Sequence, residues 1–285
     1  MDAILKMQMR YSFLLIVSMV FLYSCIDLFQ YSPNAISLDE SQKDLNRKNY
    51  EELLSKEGDD TVRFVFAADT QFATDELKIL VDQLNNIEGI DFMLLAGDLV
   101  QKGTSKEYKW LHRELERLNI PYFGIVGNHD FERNAENIFE AMFGERDFSF
   151  EYKHTKFICI DTNSKEWNWN GKVPDISWLQ SEIDAADAND DIDKVYVISH
   201  VAPYDHVFFD AELEYDFANA IGSSPKVIAS LHSHSHKWKI SRPYPDKKIY
   251  LQVTSVKQVK ENKWWQRSYG LISVSDTTIF KYKIY

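Results

Sequence analysis

The sequence has few of the features that define several protein classes. Among its 285 residues there are two cysteines, and the formal net charge is −12 because acidic residues outnumber basic ones. No apolar run reaches the ~20 residues with which a helix spans a bilayer. No internal repeat or low-complexity tract is present. The acidic balance argues against a nucleic-acid partner, whose binding surface is usually basic, unless basic residues cluster locally.

The N-terminal segment predicts export. A basic start is followed by an apolar stretch from Phe13 to Tyr23 and then by Ser24 and Cys25, which is the order of a secretory signal. The end of this segment, LYSC, resembles a bacterial lipobox, although Cys25 could also end an ordinary signal peptide. We therefore expect a signal peptide at 1–24 and an exported protein of the bacterial cell envelope, periplasmic or at the outer membrane, anchored by a lipid on Cys25.

We expect no structural disulfide, because the sequence has only two cysteines. If Cys25 carries a lipid, Cys159 is the only free thiol, and its apolar context, KFICID, predicts a buried and unreactive side chain.

The rest of the chain divides into a polar N-terminal segment and one α/β domain. Residues 25–60 predict a tether with a short helix near residues 40–56. Over residues 61–285 short apolar runs alternate with helical patterns, which is typical of a sheet with crossover helices. The last three runs, KIYLQVTSV, SYGLISVS and TIFKYKIY, are closely spaced and predict antiparallel strands.

Polar residues of metal-binding type follow five of the predicted strands. Each of Asp69, Asp98, Asn128, His200 and the histidines of LHSHSH at 231–236 comes directly after an apolar run. Singly, such residues are common in turns and helix caps, and alternating histidines could be a solvated strand tip. Because binding groups collect at the carboxyl ends of strands, all five together indicate a ligand site.

Five short blocks in this order resemble the calcineurin-like metallophosphoesterases. The blocks are DTQ at 69–71, GD at 97–98, GNHD at 127–130, SH at 199–200 and HSH at 234–236. The resemblance implies a two-sheet α/β sandwich flanked by helices, in four layers. It also implies a phosphoesterase that hydrolyses a phosphate monoester or diester with a hydroxide that bridges two metal ions.

The resemblance implies a role for each matching residue. The implied metal ligands are Asp69, Gln71, Asp98, Asn128, His200, His234 and His236. Asp98 would bridge two divalent ions, and the mixture of oxygen and nitrogen donors suits manganese, iron or zinc. His129 would be the general acid, and Asp130 would orient its ring.

Two positions depart from the family pattern. Gln71 replaces the usual histidine, and an amide oxygen is a weaker ligand. The last block normally begins with glycine, so its two histidines are either His232 and His234 or His234 and His236. The position of this glycine needs a small side chain, and Ser233 is smaller than Leu231, which favours the second register. His232 is then the last residue of the strand and flanks the site.

Other readings of the sequence remain open. The protein could be a lipid-anchored protein that binds metal or phosphate without turnover, although GNHD then has no need of its histidine. A zinc scavenger would carry longer histidine tracts than eight histidines allow. His206 is a candidate phosphate contact, and Trp167 and Trp169 could form a substrate-facing rim or pack against the domain. The phosphorylated substrate could be a monoester, a cyclic nucleotide, a phospholipid headgroup or a phosphoprotein.

Overall fold

A computed structural model describes residues 35–56, 58–131, 136–257, 259–261, 264–266 and 268–284. The expected signal peptide, Cys25 and the first part of the tether lie outside these residues. Within the described part, no helix has both the length and the apolar character needed to cross a membrane. The helices are α1 (Leu45–Leu54), α2 (Thr74–Leu84), α3 (Ser105–Leu115), α4 (Glu136–Phe143), α5 (Ile176–Ala188) and α6 (Glu214–Ser223). The strands are β1 (Val62–Ala67), β2 (Phe92–Ala96), β3 (Tyr122–Ile125), β4 (Phe148–Tyr152), β5 (Thr155–Cys159), β6 (Lys194–Ile198), β7 (Val227–His232), β8 (Lys239–Ser241), β9 (Ile249–Gln252), β10 (Val259–Glu261), β11 (Trp264–Gln266), β12 (Ser268–Val274) and β13 (Thr278–Ile284).

Most strands belong to one of two mixed sheets. The first sheet has the order β13-β12-β1-β2-β3, in which β1, β2 and β3 run parallel and β12 is antiparallel to both of its neighbours. The second has the order β4-β5-β6-β7-β9-β8, with a parallel centre and an antiparallel strand at each edge. With helices packed on both sheets, the predicted two-sheet α/β sandwich is confirmed.

Aromatic side chains fill the space between the two sheets. Phe64 and Phe92 from the first sheet stack at 5.3 Å between ring centroids, and Phe157 of the second sheet meets both edge-on at 5.3 and 5.2 Å. These rings are fully buried, and burial of each contributes about 1.5–3 kcal/mol of hydrophobic free energy. Cys159 lies in the same cluster as a buried free thiol, as expected. The core therefore fixes the two sheets face to face.

The helix expected near residues 40–56 is present as α1 and packs on the body of the domain. Its Asn46 exchanges two hydrogen bonds with the backbone of Gly124 in β3, at 3.0 and 2.8 Å. Asn49 accepts a hydrogen bond from the backbone N–H of Tyr122 at 3.0 Å. Because β3 is the last strand of its sheet, these amides cover backbone groups that an edge strand leaves unpaired.

One expectation about the C-terminal strands is wrong. β12 and β13 are antiparallel as predicted, but β9 pairs parallel with β7 in the other sheet, with Ser230 opposite Tyr250. The short edge strand β8 lies between β7 and β9 in sequence and lets the chain return in the direction of β7. Apolar spacing alone does not show which sheet a strand joins.

Candidate active site

The carboxyl ends of five strands meet at one edge of the sandwich. Asp69, Asp98 and Asn128 follow the parallel strands β1, β2 and β3 of the first sheet, and the histidines follow β6 and β7 of the second. Contacts cross between the sheets here: His200 Nε2 lies 3.3 Å from Asp98 Oδ1, and His236 Nε2 lies 3.1 Å from Asp69 Oδ1. The structure therefore brings together the ends that the sequence predicted to meet.

The backbone is left-handed at four of the seven predicted ligands. The φ angles are +56° at Asp69, +52° at Asp98, +61° at His234 and +54° at His236. Non-glycine residues adopt such angles uncommonly, and the conformation costs of order 1–3 kcal/mol each. The turns after the strands therefore hold these side chains in orientations that an ordinary strand end would not give.

Two glycines let the ligand-bearing turns pack against each other. A Cβ atom on Gly127 would lie 2.0 Å from the backbone nitrogen of Asp98. A Cβ on Gly97, whose φ is +86°, would lie 2.4 Å from His200 Nδ1. The glycines of the GD and GNHD blocks are thus required by this close approach.

The first cluster of donor atoms, called here the Asp98 group, consists of Asp98, Asn128, His200 and His234. His200 Nε2 is 3.1 Å from Asn128 Oδ1 and 3.2 Å from His234 Nδ1, in addition to its 3.3 Å contact with Asp98. One ligand atom each from Asp98, His200 and His234 lie within 4.8 Å of one another. Such converging lone pairs could hold a metal ion.

The second cluster, called here the Asp69 group, consists of Asp69, Gln71 and His236. Asp69 Oδ1 contacts His236, whereas Asp69 Oδ2 and Gln71 Oε1 are buried with no hydrogen-bond partner among the described residues. A buried acceptor without a partner costs about 1–3 kcal/mol. A divalent cation would satisfy both oxygens, so this donor set fits the group that the resemblance implies.

The ring of His200 is oriented from behind by the other sheet. Its Nδ1 lies 2.8 Å from the carbonyl oxygen of Ala96, and a carbonyl can only accept, so Nδ1 carries a proton. Nε2 is the nitrogen that faces the Asp98 group, and its lone pair would bind a cation once the ring is neutral. Ser233 Oγ also donates to Ala96 and lies 2.8 Å from the same ring nitrogen. A hydrogen bond of this kind fixes the tautomer of a metal-binding histidine.

Burial and neighbouring charges oppose each other in setting the pKa values of Asp98 and His200, whereas burial and the charge of His200 act together on the pKa of His234. Burial opposes ionisation of Asp98, but the charge of His200 and hydrogen bonds outweigh it and lower the pKa of Asp98 to about 2. Burial likewise lowers the pKa of His200, yet the carboxylates of Asp98 and Asp69 raise it to about 9. Burial, helped by the charge of His200, lowers the pKa of His234 to about 3. Without a cation, the Asp98 group thus concentrates its positive charge on one imidazole.

His129 and Asp130 differ from the expected arrangement. The carboxylate of Asp130 accepts hydrogen bonds from the backbone N–H groups of Gly127, Leu99 and Val100 at 2.8, 3.2 and 3.1 Å. His129 Nδ1 instead lies 3.0 Å from the side-chain nitrogen of Gln101 and 3.3 Å from the backbone carbonyl oxygen of Gln101. Asp130 therefore ties together the turns after β2 and β3, and Gln101 contacts Nδ1 of His129.

The alternating histidines take two different environments. His234 and His236 point into the two donor groups, whereas His232 is fully buried, with Nδ1 2.7 Å from Ser199 Oγ and its ring stacked on Tyr250 at 5.7 Å. His232 is the last residue of β7. This geometry favours the register in which His234 and His236 are the ligands.

His206 and Trp167, two of the three further candidates, make their contacts with residues outside the donor groups. His206 pairs with Glu214 of α6, which also accepts a hydrogen bond from Tyr244 at 2.6 Å. Trp167 donates to Asp161 at 3.1 Å, and the guanidinium of Arg146 lies over its ring. Trp167 is thus packed against the domain, whereas Trp169 is 48% exposed.

Two neighbours of the site were not predicted from the sequence. Gln101 contacts His129, and Asp205 Oδ2 lies 3.8 Å from His234 Nε2. Both lie in loops that follow ligand-bearing strands, three residues after Asp98 and five after His200. Their position in such loops was the available signal.

The fold and the donor set define a metallophosphoesterase site, and comparison with known sequences agrees. The sequence profile of the calcineurin-like phosphoesterase family matches residues 62–238. The chain belongs to this family. Its fold and donor set imply divalent metal ions.

Curated relatives match over shorter stretches. A "Probable glycerophosphodiester phosphodiesterase" of Arcobacter nitrofigilis is 29% identical over 103 residues, 33% of this chain and 36% of that protein. A "Probable cyclic nucleotide phosphodiesterase" of Ruthia magnifica subsp. Calyptogena magnifica is 30% identical over 105 residues, 37% of this chain and 41% of that protein. The chain thus spans well under two thirds of these relatives' length.

Solved structures share the fold at low identity. A dimetal phosphatase from Danio rerio is 13% identical with a TM-score of 0.59, covering 77% of this chain and 98% of that one. A purple acid phosphatase from yellow lupin seeds is 12% identical with a TM-score of 0.57, covering 79% of this chain and 51% of that one. These likenesses show a common fold.

Proposed function

We propose that the protein hydrolyses a phosphate ester with two divalent transition-metal ions, one at the Asp98 group and one at the Asp69 group. The observation that carries the proposal is the convergence of two carboxylates, two amide oxygens and three imidazoles at one edge, with Asp69 Oδ2 and Gln71 Oε1 buried and unpartnered there. Mixed oxygen and nitrogen donors suit manganese, iron or zinc. Gln71 contributes an amide oxygen where the family usually has an imidazole nitrogen, which leaves the charge of the Asp69 group the same and makes one of its ligands weaker.

Each side chain has a distinct task in this proposal. When bound, the ions polarise the phosphoryl group and lower the pKa of water, which supplies a hydroxide nucleophile. Asp98 would serve both ions, since its Oδ1 contacts His200 of the Asp98 group and its charge acts on Asp69 of the other group. The same Oδ1 accepts a hydrogen bond from the backbone N–H of His129 at 2.9 Å. That hydrogen bond places His129 beside the metal edge, where its ring can donate a proton to the leaving oxygen.

Gln101 supports the acid role of His129. The side-chain N–H of Gln101 can donate to Nδ1 of the neutral ring at 3.0 Å, and the backbone carbonyl oxygen of Gln101, 3.3 Å from the same atom, can accept from Nδ1 of the imidazolium. Gln101 thus contacts Nδ1 in either protonation state, and Nε2 is the nitrogen that would donate to the leaving oxygen. Asp130 acts indirectly: its carboxylate accepts three backbone hydrogen bonds, which fix the turn that carries His129.

The phosphodiesterase names of the relatives favour a phosphodiester substrate for this chain as well. The proposal is tested by stripping the purified protein with a chelator, restoring manganese, iron or zinc singly, and assaying a monoester and a diester. We expect no turnover without metal and recovery with at least one ion, with the diester preferred. Metal binding without hydrolysis of either ester would instead indicate a binding protein.

We also propose that the mature protein is exported and anchored in the cell envelope through a lipid on Cys25. The support is the apolar stretch that ends in YSC. If so, the protein fractionates with membranes and Cys25→Ser releases it or blocks its processing. An unmodified residue 25 in mass spectra of the mature protein would contradict the anchor.

A further inference from the structure

A cavity of about 120 Å³ opens beside the metal edge, between helix α3 and the turns that follow β1 and β2. Its walls include Thr70, Phe72, Leu99, Val100, Gln101 and Trp110. A cavity of roughly 150 Å³ lined by apolar side chains accommodates a benzene ring, so this cavity has the size of one planar ring.

The cavity shares both of its turns with the active site. Thr70 and Phe72 flank Gln71 in the chain, and the hydroxyl of Thr70 donates to the carbonyl oxygen of Leu99 at 2.7 Å, which joins the two turns. Gln101 lines the cavity and also contacts His129 Nδ1 at 3.0 Å. The cavity therefore adjoins the residue that faces the leaving group in the proposed reaction.

Two exposed aromatic side chains line the cavity. Phe72 is 69% exposed and has a φ of +57°, a backbone angle that a bulky residue seldom adopts. Trp110 is 44% exposed on α3. Large apolar side chains exposed together next to a polar site are typical of ligand pockets, which combine apolar walls with a few polar groups.

A lysine ammonium lies over each of these rings. Lys257 Nζ is 5.6 Å from the ring centre of Phe72, and Lys106 Nζ is 4.9 Å from that of Trp110. These distances allow cation–π attraction. The cavity wall also contains the carboxylate of Glu107, so the two lysines offset a negative charge beside the cavity.

We propose that this cavity receives a planar aromatic ring carried by the leaving group of the substrate, between Phe72 and Trp110. The inference rests on the proposed function and narrows its substrate class to aryl or nucleoside phosphate esters over alkyl esters. The ring contacts Phe72 and Trp110 while the phosphoryl group lies at the metal edge. Gln101 lies between the cavity for the ring and the metal edge, since it lines the cavity and contacts His129.

Binding of phosphate-free rings tests the pocket without any turnover. Saturation-transfer NMR with the metal-loaded protein compares phenol with cyclohexanol, which has a similar size but no π system. We expect transfer to phenol above that to cyclohexanol, loss of the difference in Phe72→Ala and Trp110→Ala, and its retention in Trp110→Phe. Tyr215→Ala, which removes a ring that is 76% exposed on α6, is the matched control and should bind phenol normally.

Kinetics separate a failure of this inference from a failure of the proposed function. We compare a phenyl ester with a fluoroalkyl ester whose leaving group has matched acidity, and expect kcat/KM to favour the phenyl ester about 10- to 100-fold. Phe72→Ala and Trp110→Ala should move this ratio toward one, and Tyr215→Ala should not. Hydrolysis of both esters with a ratio near one, or a ratio that neither variant changes, overturns the inference and leaves the function intact. Ring-dependent phenol binding without hydrolysis of either ester supports the pocket and overturns the function.

Discussion

The two sheets contribute different chemistry to the same edge of the molecule. The first sheet supplies oxygen donors, which are Asp69, Gln71, Asp98 and Asn128, and the second supplies the imidazoles of His200, His234 and His236. The turns of each set are linked within their own sheet: Gln71 N–H donates to Asp98 O at 3.1 Å, and Ser233 N–H donates to His200 O at 3.0 Å. The ring of His200 also contacts Ala96 O of the first sheet at 2.8 Å.

This division means that neither sheet holds a complete ligand set. A cation at the Asp98 or Asp69 group would bind ligands from both sheets and so join them at this edge, while the aromatic core joins them from within. A ligand that binds only the folded protein stabilises it by about 2.7 kcal/mol when present at 100 times its Kd. The predictions below remove contributions from one sheet or the other.

The largest effect is expected on the oxygen side, from Asp98→Asn. Asp98 contacts His200 of its own group and its charge acts on Asp69 of the other, so its loss affects both donor groups. Turnover should fall below detection. This loss exceeds the one expected from removing a general acid, which contributes about 10²- to 10⁴-fold. Asp276→Asn, at an exposed turn, is the control and should keep full activity. Undiminished turnover by Asp98→Asn would refute its role.

The next effect is on the nitrogen side and compares His236→Ala with His232→Ala. His236 contacts Asp69, whereas His232 is buried against Ser199 and Tyr250. Residues that only support a ligand typically change metal affinity 10- to 100-fold, and loss of a ligand should exceed this. We expect His236→Ala to lose metal and activity severely and His232→Ala mildly, by metal analysis and rate. The reverse order would show that the register is wrong.

His129→Ala should leave the metal content unchanged and lower the rate about 10²- to 10⁴-fold. The residue contributes a backbone N–H to Asp98, which the substitution keeps, and a ring held by Gln101, which it removes. The loss should shrink with a leaving group that needs no proton. Equal losses on good and poor leaving groups would argue against the general-acid role.

The smallest effect concerns Asp147, which precedes β4 of the second sheet, away from the donor groups. Burial and the neighbouring Asp161 raise its pKa from 3.8 to about 7, although the backbone N–H of Asp161 opposes the shift. Because the folded protein prefers the protonated form, this carboxyl costs stability as the pH rises from 3.8 through about 7.

Asp147→Asn keeps an oxygen that can accept the 2.7 Å hydrogen bond from Asp161 N–H but cannot ionise. It should therefore raise the free energy of unfolding at pH 8 by roughly 1–2 kcal/mol and leave it nearly unchanged at pH 4, as measured by denaturant unfolding. Equal effects at both pH values would show that the charge of Asp147 does not matter.

The sequence predicts the site residues better than it predicts their neighbours. Blocks such as GNHD place ligand types at strand ends, and parallel strands bring those ends to one edge, so the meeting of Asp69, Asp98 and His200 follows from local patterns. Which groups orient the ligands depends on turn geometry instead. Asp130 was expected to orient the ring of His129, but its carboxylate is held by three backbone N–H groups.

The same limit applies to the fold. The alternating elements indicate a two-sheet sandwich, but the membership of β9 is decided by a three-residue edge strand, Lys239–Ser241, that has no clear signal of its own. The cavity beside Phe72 and Trp110 depends on two turns and a helix that are distant in sequence. Such features follow from packing between elements, which periodicity along one element does not report.

The central claim is that oxygen donors from one sheet and imidazoles from the other hold two metal ions that are needed for hydrolysis. It is tested most directly by titrating Mn²⁺ into chelator-treated protein while bound metal and diester hydrolysis are measured in the same samples. We predict binding of two equivalents, with turnover rising as the second is bound, and loss of one equivalent in His236→Ala. Full turnover by metal-free protein, or with a single bound equivalent, would contradict the account.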